Sequence, residues 1–133
     1  MVKQHQAQLP LTLSEYHGAT SITLINKTIG QYFDDIANTY PDNLAVVVYH
    51  QHIRWNYRQY QEKIDSLATG LLQLGIQAGD RVGIWSPNNI EWCLTQFATA
   101  KIGAIMVCIN PAYRPEELEY SLSNVGCRAV ICA

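Results

Sequence analysis

Two polar segments each follow an apolar run that predicts a β-strand, and each comes directly before a predicted helix. They are Ser86-Pro87-Asn88-Asn89 and Asn110-Pro111-Ala112-Tyr113-Arg114. In open α/β sheets, ligands bind outside the carboxyl ends of the strands, and free N–H groups at a helix N-terminus favour an anion. Arg114 is the cation placed at this edge, where a guanidinium can bind a phosphate. The same residue types also make ordinary turns and helix caps, so both interpretations stay open.

Two histidines are candidates for a metal site. His50 and His52 would share one side of an extended strand and could bind a metal together. The sequence offers no third ligand at a familiar spacing. We therefore expect a solvated turn and no metal site.

Two groups of carboxylates could act in acid–base chemistry. They are Asp34-Asp35 and the cluster of Glu116, Glu117 and Glu119. Each group lies on a predicted helix whose opposite side is apolar, which is typical of a solvated face. We expect no catalytic role for either group.

The four cysteines lie in apolar stretches, and none forms a CxxC pair. A thiol in such a stretch usually packs as a small buried hydrophobe, so we expect reduced core cysteines, with a disulfide or a metal site as the alternatives. They are Cys93, Cys108, Cys127 and Cys132. The motifs GxGxxG, GxxxxGK[ST] and GxSxG are absent from the sequence, so no common nucleotide or nucleophile motif is visible.

Composition excludes several functional classes. Charged residues make up 15% of the 133 residues, below the roughly 25% of soluble domains, which predicts that much of the surface faces other protein. The formal net charge is -2 and the nine Lys and Arg residues are scattered, so we expect no nucleic-acid partner. The first twenty residues lack an apolar run of signal-peptide length, and the apolar stretch 97–109 is too short to span a bilayer. We expect a cytoplasmic protein without a transmembrane segment.

The first half of the chain predicts a helix followed by a β-hairpin. Thr28, with Gln31 three residues later, forms a capping box for a helix that Pro41 ends. Two runs of strand-forming residues, 44–49 and 52–55, come next and are separated by a short polar turn.

The second half predicts a long helix and then strands alternating with helices. Asn56 and Gln59 form another capping box, and Gly75 closes this helix. We expect Glu91 to complete the cap of the following helix. The βαβαβ order predicts a parallel sheet with right-handed crossovers. The predicted segments are strand 82–85, helix 89–102, strand 105–109, helix 115–125 and strand 129–132.

The fold class is therefore α/β, with a βαβαβ parallel sheet preceded by a helix and a β-hairpin. Residues 1–27 show no periodicity, and we expect an arm that lies on a larger body. Residues 28–133 form part of one domain. Parallel sheets need cover on both faces and partners at their edges. We therefore expect that this domain is truncated and that its missing remainder is a partner of the chain.

Several segments, in their order along the chain, resemble the adenylate-forming enzymes. WNYRQY at residues 55–60 is similar to their L-T-Y-x-E-L segment, and GDRVGIWSPN at 79–88 is similar to their G-D-R-V-x-x-x-x-x-N strand and turn. KIGA at 101–104, followed by Asn110-Pro111 and Glu117-Leu118, resembles their K-x-G-A…N-P…E-L segment. Within the family, the residues at 82–88, 96–101 and 110–114 resemble those of the medium-chain fatty acyl-CoA synthetases. Residues 28–133 are thereby identified as an N-terminal part of the large AMP-binding domain.

The resemblance implies a two-step reaction in the complete enzyme. ATP and a medium- or long-chain fatty acid give an acyl-adenylate and pyrophosphate; CoA then displaces AMP and forms a thioester. Mg²⁺ screens the phosphates in the first step. The family's phosphate loop, adenine segment, ribose-binding Asp and catalytic Lys all lie downstream of the matching segments. The resemblance therefore implies no catalytic residue and no metal ligand in this chain, which should bind ATP, CoA and Mg²⁺ weakly and be inactive alone.

One lesser role is implied for this chain. The loop Asn110-Pro111-Ala112-Tyr113-Arg114 resembles the family's rim for the nucleotide end of CoA. Several relatives place an Arg where this chain has Ala112, and we expect Arg114 to take its place. Two other functions stay open: a non-catalytic interaction module derived from an acyl-CoA synthetase, and an unrelated flavodoxin-like binding domain.

Overall fold

The computed structural model describes residues 17–19 and 21–133. Most of the predicted arm at residues 1–27 lies outside the described residues, and residues 21–27 form neither helix nor strand. Within the described residues, the first helix begins at Ile29. The elements in order are α1 (Ile29–Thr39), β1 (Leu44–Val48), β2 (Ile53–Asn56), α2 (Tyr57–Gln73), β3 (Arg81–Trp85), α3 (Ile90–Ile102), β4 (Ile105–Ile109), α4 (Pro115–Val125) and β5 (Cys127–Cys132).

Both predicted capping boxes are confirmed. At the start of α1, the Gln31 N–H donates to Thr28 Oγ1 at 3.2 Å, and the Thr28 N–H donates to Gln31 Oε1 at 3.0 Å. At the start of α2, the matching distances between Gln59 and Asn56 are 2.9 and 3.1 Å. Each box satisfies two backbone donors that a helix start would otherwise leave without a partner.

The predicted hairpin is confirmed, and its histidines lie in an exposed turn as expected, but they are not placed on one side of a strand. Strands β1 and β2 pair antiparallel and are joined by a single 3₁₀ turn, Tyr49–Gln51. His50 lies in that turn and His52 has the left-handed φ of 54°, so the two do not share the face of a strand. Across residues 17–19 and 21–133, no three His, Cys, Asp or Glu side chains are grouped as metal ligands.

The predicted parallel sheet is also confirmed, with the strand order β4-β3-β5. Strand β3 pairs with both neighbours in parallel, and its Val82 and Ile84 are fully buried. Gly83, between them, faces the opposite side of the sheet, where a Cβ would lie 2.9 Å from Ile109 Cδ1 and 3.4 Å from Leu122 Cδ2. This glycine lets α4 approach one face of the sheet while α3 covers the other.

The main core lies between β3 and the three helices α1, α2 and α3. Phe33 and Tyr60 meet edge to face with ring centroids 5.6 Å apart, and Phe97 lies 4.7 Å from Phe33. Helix α3 contacts α1, α2 and the sheet, so it packs on more than one side. The buried cluster consists of Phe33, Ala37, Tyr60, Ile64, Ala68, Leu71, Ile76, Val82, Ile90 and Ala98.

The prediction of buried core thiols is wrong for two of the four cysteines. Cys108 and Cys132 are exposed, because β4 and β5 flank β3 and have no described strand beyond them. Cys93 and Cys127 are half-buried, and burial raises the pKa of each thiol. All four are free thiols.

Candidate functional site at the carboxyl edge of the sheet

The two polar loops singled out in the sequence lie side by side. Trp85, the last residue of β3, pairs with Ile109, the last residue of β4, so the segments after both strands start at the same edge. The indole Nε1–H of Trp85 donates to the Asn110 carbonyl oxygen at 3.1 Å. A cleft of about 420 Å³ opens here. It is lined by Trp85, Ser86, Pro87, Pro111, Cys132 and Ala133.

The segment 86–89 is a turn that caps α3. The Trp92 N–H donates to Asn89 Oδ1 at 3.0 Å, which makes Asn89 the N-cap. The side-chain amide of Asn89 donates to Ser86 Oγ at 2.7 Å, and the Ser86 hydroxyl, almost fully buried, donates to the Pro87 carbonyl at 2.9 Å. The side chains of Ser86 and Asn89 are therefore occupied by bonds within this turn and to the start of α3.

Gln51, a residue of the hairpin turn, completes that cap. The Ile90 N–H donates to Gln51 Oε1 at 2.8 Å, and the Gln51 side-chain amide donates to Glu91 Oε2 at 2.8 Å. The expectation that Glu91 itself completes the cap is therefore wrong. Gln51 lies 39 residues before Ile90, and because helix-capping patterns are local they cannot identify such a partner.

These contacts decide between the two interpretations of segment 86–89. The N–H groups of Ile90 and Trp92 are both bound by protein side chains, so they are not available to an anion. At α3, the turn-and-cap interpretation is correct.

The loop of residues 110–114, which we call the rim loop, is organised around Asn110. The Asn110 side-chain oxygen accepts from the Ala112 N–H at 3.0 Å, and its carbonyl accepts from the Tyr113 N–H at 3.0 Å. Arg114 follows as the N-cap residue of α4, and its N–H donates to Glu117 Oε2 at 2.9 Å. The loop is thus a compact turn that delivers Arg114 to the start of the helix.

Arg114 is suited to bind an external anion. Its side chain is exposed, and among residues 17–19 and 21–133 its guanidinium has no hydrogen bond or ion pair. The first turn of α4 adds little to anion binding, because Pro115 lacks an N–H and Glu116 and Glu117 are acidic. An anion at the rim loop would therefore depend on the Arg114 side chain. Glu116, Glu117 and Glu119 are exposed, as predicted.

Asp34 corrects a prediction in a different part of the molecule. It accepts from Lys101 Nζ at 2.5 Å and from Gln61 Nε2 at 2.7 Å, and Lys101 also pairs with Asp65. Asp34 is therefore only partly solvated, because its carboxylate is also bound by these two side chains. It joins α1 to α2 and α3 in a group that we call the Lys101 cluster (Asp34, Gln61, Asp65 and Lys101). Asp35, one residue later, pairs with Lys27 near the surface.

Hydrogen bonding within the Lys101 cluster favours the charged forms. Burial opposes the ionisation of Asp34, but hydrogen bonds from Lys101 and Gln61 outweigh it and lower the pKa of Asp34. Burial likewise disfavours the Lys101 ammonium, but hydrogen bonds to Asp34 and Asp65 outweigh it and raise the pKa of Lys101. The cluster is a structural ion network at the junction of three helices.

The GDR motif at residues 79–81 lies at the opposite, amino edge of the sheet and is structural. Gly79 has the left-handed φ of 86°, and the Asp80 carboxylate accepts from the Gln77 N–H at 2.8 Å. Arg81 Nε donates to the Val125 carbonyl at 2.9 Å, which places a cation at the C-terminus of α4. The motif therefore ties α4 to the sheet and performs no visible chemistry.

Comparison with known families and curated proteins agrees with this architecture. Residues 33–133 match the family model of the AMP-binding enzyme. The chain is 45% identical over 119 residues to the medium-chain acyl-CoA ligase ACSF2 of Rattus norvegicus, which covers 90% of this chain and 19% of the relative. It is 44% identical over 108 residues to the putative acyl-CoA synthetase YngI of Bacillus subtilis, covering 81% of this chain and 20% of that protein. The chain spans about a fifth of the length of these relatives.

Solved structures give the same result. The inhibitor-bound N-terminal domain of FACL13 from Mycobacterium tuberculosis matches with a TM-score of 0.77 and 34% identity, covering 80% of this chain and 27% of that chain. A fatty acyl CoA synthetase from the same organism matches with a TM-score of 0.76 and 33% identity, covering 79% and 21%. These likenesses exclude the unrelated flavodoxin-like domain. Since the family model covers residues 33–133 and a curated relative is 45% identical over 90% of the chain, the chain belongs to the AMP-binding enzyme family.

Proposed function

We propose that this chain works as the N-terminal part of an ATP-dependent ligase that joins a medium- or long-chain fatty acid to CoA through an acyl-adenylate. The observation that carries the proposal is the 45% identity over 119 residues to a protein named a medium-chain acyl-CoA ligase. When bound, ATP would supply the adenylyl group and Mg²⁺ would screen its phosphates. The residues of this chain would supply the scaffold and part of the CoA rim.

The CoA rim is assigned to the loop Asn110-Pro111-Ala112-Tyr113-Arg114. Its exposed guanidinium at Arg114 is chemically suited to a phosphate of the CoA nucleotide, because charge-assisted bonds from Arg to phosphate are strong and can be bidentate. The N-terminus of α3 would add little to anion binding, since Gln51 and Asn89 occupy its Ile90 and Trp92 amides and Glu91 is acidic.

The remainder of the domain is the partner that we propose for the open sheet. Ile105 on β4 and Val130 on β5 are 52% and 39% exposed. Exposed apolar residues on flanking strands of a parallel sheet are usually covered by further elements. Without that cover we propose that the chain is inactive and binds ATP, CoA and Mg²⁺ weakly.

We also propose a subcellular location for the protein. None of the helices in the described part of the chain is both long and apolar enough to cross a bilayer. We propose the cytoplasm, whereas the names of the mammalian relatives place those proteins in mitochondria. Cell fractionation distinguishes the two compartments.

The reaction is tested with the full-length protein. We expect acyl-CoA, AMP and pyrophosphate to form when octanoate or palmitate is supplied with ATP, Mg²⁺ and CoA. Turnover of aryl acids in place of fatty acids would support the ligase reaction but refute fatty acids as its substrate class. Failure to adenylate any carboxylic acid would refute the ligase and favour the non-catalytic interaction module.

Replacing Arg114 with alanine in the full-length protein should raise the KM for CoA about fivefold to tenfold and leave fatty acid-dependent ATP–pyrophosphate exchange unchanged. One exposed charge-assisted bond to a phosphate accounts for an effect of this size. Steady-state kinetics at saturating ATP measure it. Arg54→Ala is the matched control, because Arg54 is also exposed but lies on β2, away from the rim loop. An equal fall in exchange and in CoA-dependent turnover would refute the rim role.

A further inference from the structure

Trp85 is the last residue of β3, the central strand of the parallel sheet. Strand β3 lies between β4 and β5, and Trp85 is paired with Ile109 on one side and Cys132 on the other. Its indole Nε1–H reaches across the edge to the Asn110 carbonyl oxygen at 3.1 Å. The side chain therefore links the rigid centre of the sheet to the first residue of the rim loop.

Three hydrogen bonds converge on Asn110. Its carbonyl oxygen accepts both the Trp85 indole N–H and the Tyr113 N–H, which together use its two lone pairs. Its side-chain oxygen accepts the Ala112 N–H. Of these three donors, the Trp85 indole is the one that comes from outside the rim loop, so it anchors the turn that the other two close.

The position of the Arg114 guanidinium depends on this turn. No residue in the described part of the chain holds that guanidinium through a hydrogen bond or an ion pair. Its backbone, by contrast, is fixed by the rim loop on one side and by the bond to Glu117 on the other. The backbone that Asn110 organises thus sets the direction in which the Arg114 side chain leaves the chain, along its Cα–Cβ bond.

We propose that Trp85 is a positioning residue for CoA: its indole N–H holds the rim loop in the conformation that presents Arg114. The inference rests on the proposed CoA-rim function of this loop, and it deepens that function by naming a residue that acts on CoA through another residue. Trp85 itself is not assigned a contact with substrate.

Trp85→Phe in the full-length protein tests the structural half of this inference. Phenylalanine keeps an aromatic ring and removes the N–H donor. Loss of one anchoring hydrogen bond should speed amide exchange at Ala112 and Tyr113 about fivefold. Hydrogen exchange measured by mass spectrometry over residues 110–114 reports this without any ligand. Unchanged exchange would overturn the inference, whether or not the loop binds CoA.

Kinetics of the same variant test the functional half. The KM for CoA should rise about threefold to fivefold, with kcat and fatty acid-dependent ATP–pyrophosphate exchange unchanged. In an Arg114→Ala background, Trp85→Phe should add little further, because both changes remove the same contact. Trp55→Phe is the matched control, since Trp55 packs beside the core on β2 and its indole donates to no described residue.

The outcomes separate the inference from the proposed function. If Arg114→Ala raises the KM for CoA and Trp85→Phe does not, the rim role stands and the positioning role is refuted. If neither variant changes the KM for CoA, the CoA rim is refuted, and with it the positioning of CoA. A similar fall in thermal stability for Trp85→Phe and Trp55→Phe, with a change in KM for Trp85→Phe alone, supports the inference against a general loss of structure.

Discussion

Replacing Lys101 with methionine is expected to lower the free energy of unfolding by about 2 kcal/mol. The Lys101 side chain is 13% exposed and carries the positive charge between Asp34 and Asp65. Removing one member of a buried ion pair costs about 3–5 kcal/mol, because the remaining charge has no partner. Asp34 and Asp65 are 38% and 54% exposed, so water screens the loss and the expected cost is smaller.

Methionine is the informative substitution because the Lys101 stem also packs. A Cβ added at Gly30 would lie 3.0 Å from Lys101 Cα and Cγ, and the Lys101 ammonium lies 5.8 Å from the centre of the Phe33 ring. Methionine keeps an unbranched apolar stem of similar length, so most of the packing is retained and the charge is removed. The measured loss then reports the ion network rather than a cavity.

Urea denaturation followed by tryptophan fluorescence measures the change as a shift in midpoint at constant slope. Lys63→Met is the matched control, because Lys63 is exposed on α2 and forms no ion pair with a described residue. Adding Asp34→Asn and Asp65→Asn to Lys101→Met should recover part of the stability, since the triple variant no longer holds unpaired carboxylates. A Lys101→Met variant within about 0.5 kcal/mol of the wild type would refute the structural role of the cluster.

The difference between wild type and Lys101→Met should depend on pH in a defined direction. The pKa of Asp34 is lowered in the folded protein, so its stabilising contribution is present above its unfolded pKa and is lost as the pH falls through the folded value. The pKa of Lys101 is raised, so its contribution is present below its unfolded pKa and is lost only as the pH rises through the folded value. The gap should be widest around neutral pH and narrow in acid.

Local signals predicted the elements well. The pairs Thr28/Gln31 and Asn56/Gln59 lie three residues apart, so the donor and acceptor of each cap are visible in one short window. The βαβαβ order likewise predicted the parallel sheet, because a helix between two strands leaves the crossover as the usual connection.

Tertiary partners could not be predicted in the same way. Gln51 reads as an ordinary turn residue until the fold brings it to Ile90, and Asp34 reads as a solvated carboxylate until α3 places Lys101 beside it. Both are polar side chains whose role is decided by a neighbour that is distant in sequence. Sequence periodicity describes one element at a time, so it did not show that Asp34 is also bound by Lys101 and Gln61.

In the candidate site, too, the local features were predicted from the sequence and the tertiary contacts were not. The sequence placed the rim loop at the carboxyl edge of the sheet because strand ends and turn residues are local features. It did not show that the α3 amides are occupied or that Trp85 anchors Asn110, since both depend on contacts between loops. What the structure adds is the distinction between a capped helix start at α3 and an available cation at Arg114.

The 133-residue chain alone is expected to catalyse no fatty acid-dependent exchange of pyrophosphate into ATP. Of the two helix N-termini at the carboxyl edge, α3 has its Ile90 and Trp92 amides bound by side chains, and α4 starts with a proline and two glutamates. Neither provides the preorganised donors that adenylyl transfer needs, and the loss of even one such donor costs an enzyme about 10²–10³ in rate. We propose that segments downstream of residue 133 supply those donors.

Exchange of labelled pyrophosphate into ATP, measured with the purified chain and with the full-length protein under the same conditions, tests this division of labour most directly. Octanoate and palmitate are supplied with ATP and Mg²⁺, and CoA is omitted so that only adenylation is observed. We predict exchange by the full-length protein and none above background by the chain. Robust fatty acid-dependent exchange by the chain alone would contradict the proposal that it carries the scaffold and the CoA rim without the adenylation chemistry.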